Sequence, residues 1–149
     1  MSKIIDQQSL MHLYNIMRLK QVKQIDLEQL EALYQQVGWC HRPRRKLHQL
    51  MKQSWLCLAI YHQDEGQKHQ LIGFGRVVSD QTWNATIWDV VIHPDYQRQG
   101  LGKYLVYQMI RLVKRQDIRH ITLFAESRAL SFYQHLGFEI YAKGMFWFG

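Results

Sequence analysis

The chain has 149 residues, 47% of them hydrophobic and 21% charged, which suits one domain over 1–149 with its own buried core. An aromatic content of 13%, with only 9 Gly and 2 Pro, excludes a disordered, collagen-like or linker-like chain. A balance of 19 Lys+Arg against 12 Asp+Glu leaves a formal +7, which invites nucleic acid, an acidic membrane or a small polyanion as partner.

Residues 1–8 carry neither the apolar run of a secretory signal nor the Arg/Ser-rich character of a transit peptide. Residues 14–22 alternate well enough for a first strand. Asp26 then suits a helix N-cap: Gln29 can reach back to it as in a capping box, and Ile25 with Leu30 forms a hydrophobic staple. Leu27, Leu30, Leu33, Tyr34 and Val37 make one apolar stripe that Gly38 brings to an end. Pro43 opens a second, basic helix reaching about Ser54. Residues 55–61 and 71–78 read as strands joined by a polar turn over 62–69, and 86–92 as a fourth strand rich in β-branched and aromatic residues. A loop over 93–99 leads into a long helix from Gly100 to about Arg115. Residues 121–125 form a fifth strand, 128–136 a short helix closed by Gly137, and 138–148 a last strand. The order β-α-α-β-β-β-α-β-α-β predicts an α/β (α+β) domain: one mixed, mostly antiparallel twisted sheet with helices on both faces. No window has the length of a transmembrane helix, and no membrane association is expected.

The most informative stretch runs from Val91 to Lys103. A strand ends, a loop follows, and Gly100 and Gly102 open a helix whose first N–H groups lack intrahelical partners. Such an end accepts a pyrophosphate, because glycine lets phosphate oxygens approach the backbone and Arg98 and Lys103 add charge. A Walker A loop would need Gly at 97 and Ser or Thr at 104, where Gln97 and Tyr104 stand. A dinucleotide fingerprint would need Gly at 105, which is Leu105. What remains is Gln97-x-x-Gly100-x-Gly102, with Arg98, Gln99, Leu101 and Lys103 between and after.

This Gln-x-x-Gly-x-Gly loop resembles the pyrophosphate signature of the GNAT superfamily of acyl-CoA N-acyltransferases. Over roughly residues 25–146 the element order is also similar to that family. Ile87-Trp88-Asp89-Val90-Val91, Phe132-Tyr133, Leu136-Gly137-Phe138 and Lys143-Gly144-Met145 look like its plastid and cyanobacterial branch, which includes plant serotonin (arylalkylamine) N-acetyltransferases. One departure is Ser127, where the branch often has a proline and a longer insertion.

The resemblance implies acetyl-CoA as co-substrate, with no metal, and direct attack by an amine in a ternary complex. The fourth strand would splay from the fifth, acetyl-pantetheine would lie in the gap, and the backbone near Val90, Val91 and Ile92 would hold the thioester carbonyl. Arg98, Gln99, Gly100, Leu101, Gly102 and Lys103 would hold the pyrophosphate. Tyr133 matches the tyrosine that protonates the departing thiolate, or else fills an apolar stripe with Leu130 and Phe132. Glu126 is a candidate base or a carboxylate at a helix N-terminus. Asp89 lies in an apolar strand, where it is either a base or bonded to nearby backbone. The acceptor is an arylalkylamine such as serotonin, with Trp83, Trp88 or the aromatic tail 146–148 stacking an indole, or alternatively a protein lysine or N-terminal amine. The resemblance further implies a homodimer through the last strands, and a plastid stroma or a cyanobacterial or bacterial cytoplasm.

Other features stand apart from that site. Cys40 and Cys57 are too far apart for a Cys-x-x-Cys motif and are expected as reduced thiols, with no acyl-enzyme. The eight histidines lack metal-ligand spacing, and His93 reads as structural. The basic run Arg42, Arg44, Arg45, Lys46 and Lys52 is a solvated helix face or a guide for an anionic or protein substrate. A nucleic-acid module, with Arg111, Lys114, Arg115 and Arg119 as a second patch, leaves the glycine loop unexplained. A non-catalytic acetyl-CoA sensor leaves Tyr133 unexplained.

Overall fold

Residues 56–60 alternate between two apolar faces rather than between core and solvent, so the strand they form needs cover on both sides. The computed structural model describes residues 17–63, 69–141, 145 and 147. In chain order these form β1 (Met17–Gln21), α1 (Leu27–Gln36), α2 (Arg44–Gln53), β2 (Leu56–His62), β3 (Gln70–Ser79), β4 (Asn84–Ile92), α3 (Leu101–Lys114), β5 (His120–Leu123) and α4 (Leu130–Gln134). Short 3₁₀ turns occupy Pro94–Tyr96 and Ser127–Ala129. The strands lie in sequence order in one sheet, antiparallel except for the parallel pairing of β4 with β5.

One face carries α3. Leu56, Leu58 and Ile60 of β2 pack there with Leu105, Val106, Met109 and Val113. The other face carries α1 and α2, whose Leu30, Leu33, Tyr34, Leu47 and Met51 close over Cys57, Ala59, Phe74 and Val91. The expected mixed sheet with helices on both faces is therefore the observed one.

Local signals place the helices. The Asp26 carboxylate accepts the N–H groups of Glu28 (3.1 Å) and Gln29 (3.3 Å), as an N-cap should. Gln29 is used differently from a capping box: its amide donates to the Asp26 carboxylate (3.4 Å), and its Oε1 accepts the Leu71 N–H (2.7 Å). That second bond ties α1 to the start of β3. Pro43 is the N-cap residue of α2, one position ahead of the first helical turn.

The last strand expected over 138–148 is corrected where it is described. Residues 138–141 take no part in the sheet. Gly137 turns left-handed (φ +93°), and the Phe138 N–H bonds back to the Tyr133 carbonyl (3.1 Å), so this backbone closes α4 instead of extending. Residues 142–144, 146, 148 and 149 lie outside the described residues, as do 1–16 and 64–68, which take part of the expected first strand and polar turn.

The turn from β3 to β4 carries a pH-sensitive device. Asp80 Oδ1 accepts the N–H groups of Thr82 (2.9 Å), Trp83 (2.8 Å) and Asn84 (2.9 Å). These three donors hold its carboxyl well below the usual range. Its contribution to stability is thus complete above the unfolded-chain value of about 3.9 and is lost as pH falls toward the folded value. Between about pH 7 and about pH 3, the urea midpoint of the wild type should fall further than that of Asp80→Asn. Equal falls would mean that the carboxylate does not hold the turn.

Candidate active site

The β4–β5 ladder runs from Asn84↔His120 to Ile87↔Leu123 and stops, although β4 continues to Ile92. Where it stops, a cleft of about 940 Å³ opens between the end of β4 and the chain leaving β5. Trp88, Val90 and Val91 line one wall, Phe124 and Glu126 the other, and Tyr133 with Phe132 comes from α4. Arg98, Gly100, Gly102 and Lys103 line its far end.

That far end is the glycine-opened start of α3. Gly100 is its left-handed N-cap (φ +86°) and makes no side-chain cap bond. The first intrahelical bond into that cap is Tyr104 N–H to Gly100 O (2.9 Å), so the N–H groups of Leu101, Gly102 and Lys103 precede the ladder of helix bonds. A Cβ on Gly102 would stand 3.4 Å from the Phe132 ring, on the side where the cleft lies, so glycine keeps that space clear. The arrangement fits a pyrophosphate: unpaired donors, the positive end of a helix, and Arg98 and Lys103 exposed at the rim.

Two of the expected phosphate residues do not bring side chains to the cleft. Leu101 is buried in the α3 core, and the Gln99 amide donates to the Asp95 carbonyl (3.1 Å). Only their backbone can serve a ligand. Gln97, the first position of the motif, anchors the loop: its side chain donates to the Ile92 carbonyl (2.9 Å) and fastens the loop to the end of β4.

Tyr133 is half-buried, edge-on to Phe132 (4.9 Å) and Phe138 (5.9 Å). Burial raises its hydroxyl above the ordinary tyrosine value, so it is a neutral donor throughout the physiological range. Both expected environments of Tyr133 coexist, since the ring packs on the apolar cluster while the residue lines the cleft. Glu126 is 66% exposed and pairs with Arg128 Nε (2.7 Å) at the cleft rim.

Asp89 lines the cleft, and its carboxylate is held by two cations rather than by nearby backbone. Its backbone is left-handed (φ +53°), and it forms with Val90 a bulge opposite Gly75. The bulge changes which residues face which side. Ala85 and Ile87 before it face α3, and so do Val90 and Ile92 after it, while Val91 turns to α1. A regular strand would have pushed the Asp89 carboxylate under α3. Instead it meets Arg76 Nε at 2.6 Å and Arg42 at 3.0 Å, and its side chain is 6% exposed. The pairing of Asp89 with Arg42 and Arg76 was not among the expectations. The signal lay in the strand pattern, since a carboxylate in an apolar strand needs a cation and Arg76 sits in the neighbouring apolar strand.

Arg42 also corrects the view of the basic run as one helix face. It precedes α2, lines the cleft, and lies over the rings of Tyr34 (4.9 Å) and Trp39 (5.7 Å). Arg44 reaches back to Glu28 and Glu31 of α1. Trp83 meets His120 edge-on at the opposite end of the ladder and does not line the cleft, whereas Trp88 and Phe124 do, 5.7 Å apart. His93 is buried, with its Nδ1 accepting the Asp95 N–H, which is a structural role. Cys57 is buried and its thiol is pushed up by that burial, a poor setting for a thiolate nucleophile. Among the described residues no group of three His, Cys, Asp or Glu is placed to hold a metal, and no helix is long and apolar enough to cross a membrane.

The acetyltransferase (GNAT) family model matches residues 21–138. An uncharacterized N-acetyltransferase ycf52 of Gracilaria tenuistipitata var. liui is 46% identical over 127 residues, covering 83% of this chain and 69% of that protein. The histone acetyltransferase TAP1 of Glycine max is 44% identical over 133 residues, covering 83% of this chain and 58% of that longer protein. Among solved structures, the GNAT family acetyltransferase SP0256 of Streptococcus pneumoniae TIGR4 superposes with a TM-score of 0.74 at 27% identity, covering 89% of this chain and 98% of that one. A parted sheet, a helix opened by glycines and likeness along most of the chain lead to one conclusion: the protein belongs to the GNAT family and is an N-acetyltransferase.

Proposed function

We propose that the cleft binds acetyl-CoA and a primary amine together, and that acetyl passes directly from sulfur to nitrogen. The observation that carries this is one continuous cleft joining the open start of α3 to the bulge of β4 and to Tyr133. Acetyl-CoA supplies the acyl group as a thioester; the chain binds it, polarises its carbonyl and manages protons. Backbone N–H groups at Leu101, Gly102 and Lys103 bind the pyrophosphate, with Arg98 and Lys103 adding charge. The N–H groups near Val90 and Val91 take the carbonyl oxygen as negative charge grows on it. The new C–N bond forms as C–S breaks. Tyr133 gives its proton to the departing sulfur and regains one from solvent. The amine proton leaves to Glu126, directly or through water; the Asp89 carboxylate is already engaged by two guanidinium groups.

The leading acceptor is an arylalkylamine such as serotonin. Trp88 and Phe124 support it, because their rings face the cleft beside the bulge, with Trp39 near Arg42. Acetylation of a protein lysine or N-terminus is the second reading, favoured by the exposed cations of α2 and by what the soybean relative's name says of that protein. A plastid stroma or a bacterial cytoplasm is the compartment that goes with either. A panel of arylalkylamines, aliphatic amines and lysine peptides, each with acetyl-CoA, decides between them by kcat/KM. Arylalkylamines should lead by about tenfold or more, the worth of a filled aromatic pocket. A lysine peptide at the top would overturn the choice of acceptor and leave the transferase intact.

A further inference from the structure

Asp89 is the only non-glycine residue in a described strand whose backbone is left-handed. It lies directly before the two N–H groups to which the proposed transfer assigns the thioester carbonyl. Cations from two elements converge on its carboxylate. Arg76 comes from β3 and also lies against the Trp88 ring (5.8 Å), so it grips both Asp89 and the residue before it. Arg42 comes from the loop between α1 and α2, itself held by the Tyr34 and Trp39 rings. Beneath Arg42, Tyr34 is 1% exposed, so that side of the network has a rigid floor.

We propose that Arg42, Asp89 and Arg76 form an ionic brace that sets the angle of the β4 bulge and thereby aims the Val90 and Val91 N–H groups. The apolar core already decides which face Val90, Val91 and Ile92 present. It does not decide the tilt of the peptide planes within the bulge, where regular ladder bonds are interrupted. Two guanidinium groups approaching one carboxylate oxygen from different elements supply that restraint. Asp89, Arg76 and Arg42 are positioning residues: they act through the backbone and not by touching the acyl group. The brace also joins the loop between α1 and α2, whose Arg42 lines the cleft, to the strand that holds the donor.

The kinetic arm of the test rests on the proposed acetyl transfer, and the exchange arm does not. Amide hydrogen exchange across residues 88–92 is measured in the wild type, Arg42→Ala, Arg42→Lys and Asp89→Asn, with thermal melts to establish folding. Exchange at Val90 and Val91 should quicken about tenfold in Arg42→Ala and in Asp89→Asn, while residues 85–87 stay as protected as before. In parallel kcat should fall about tenfold in Arg42→Ala and further in Asp89→Asn, with KM for acetyl-CoA within about twofold of wild type, as expected when only the reacting geometry is disturbed. Arg42→Lys should recover part of the loss. The double variant should be no slower than Asp89→Asn alone, because Arg42 acts through Asp89. Unchanged exchange at Val90 and Val91 overturns the brace, and so does loss of the acidic limb of the pH–rate profile in Asp89→Asn with Arg42→Ala at full speed, which would make Asp89 the base. Quickened exchange in an enzyme that acetylates no amine supports the brace and removes the transfer reading instead.

Discussion

Tyr133→Phe should lower kcat by about two orders of magnitude while KM for acetyl-CoA stays nearly constant, because a positioned general acid contributes roughly 10²–10⁴ in rate. The substitution removes one oxygen and keeps the ring, which packs on the core between the sheet and α3 and meets Phe132 and Phe138 edge-on. Stability should therefore change little. The pH dependence separates an acid from a packing residue. Burial raises the Tyr133 hydroxyl, so the protonated form persists beyond the alkaline range in which a free tyrosine begins to ionise. In the wild type, the tyrosine then imposes no alkaline limb near neutrality, and the defect of the variant should be equally deep from about pH 6 to about pH 9. Near-normal turnover across that range would reduce Tyr133 to a core residue. Initial rates with saturating amine, read by release of free CoA, are sufficient.

Gly102→Glu should move stability and affinity in opposite directions. Gly102 occupies the first turn of α3, where a side chain with helical preference gains roughly 0.5–1 kcal/mol over glycine. A carboxylate there adds about 0.3–1 kcal/mol from the helix dipole. The melting temperature should thus rise by a few degrees. The same carboxylate would occupy the donors that receive the pyrophosphate and would set a negative charge against it. KM for acetyl-CoA should rise by about 100-fold or more, since one misplaced unit charge beside a polyanion outweighs any single hydrogen bond. Gly102→Ala is the matched control: its Cβ would meet the Phe132 ring at an ordinary 3.4 Å, so it should share the gain in stability with a far smaller loss of affinity. A Gly102→Glu enzyme with wild-type KM would remove the phosphate from this end of the cleft.

What was legible in the chain was local or strictly periodic. Asp26 announced its helix because an N-cap acts on residues two and three positions away. Gly100 and Gly102 announced theirs because a left-handed cap and an uncrowded first turn are needs met by single residues. The double-sided β2 showed as an unbroken apolar run. The bulge at Asp89 was not legible, since it lives in the registry of β4 against β3, where Phe74 opposes Val91 but Arg76 opposes Trp88. The entry of Arg42 into the cleft was hidden for a related reason: 47 positions separate it from Asp89, and the cations next in sequence lie on the exposed face of α2. At the far end, residues 138–148 read as a last strand. The left-handed turn at Gly137 had already committed the Phe138 N–H to Tyr133.

The bulge makes Asp89 a spacer as well as a charge. Shortening β4 by this one residue would restore an unbroken pleat and a more regular sheet. In that sheet Val90 and Ile92 would still face α3 and Val91 would still face α1, with Val90 set opposite Gly75. The ladder to β3 that the bulge now interrupts would close, just ahead of the phosphate loop. Substitutions at residue 89 would keep the bulge and alter only what holds it, whereas a single-residue deletion there would remove the bulge itself. Length at this point of β4 is therefore under tighter constraint than identity.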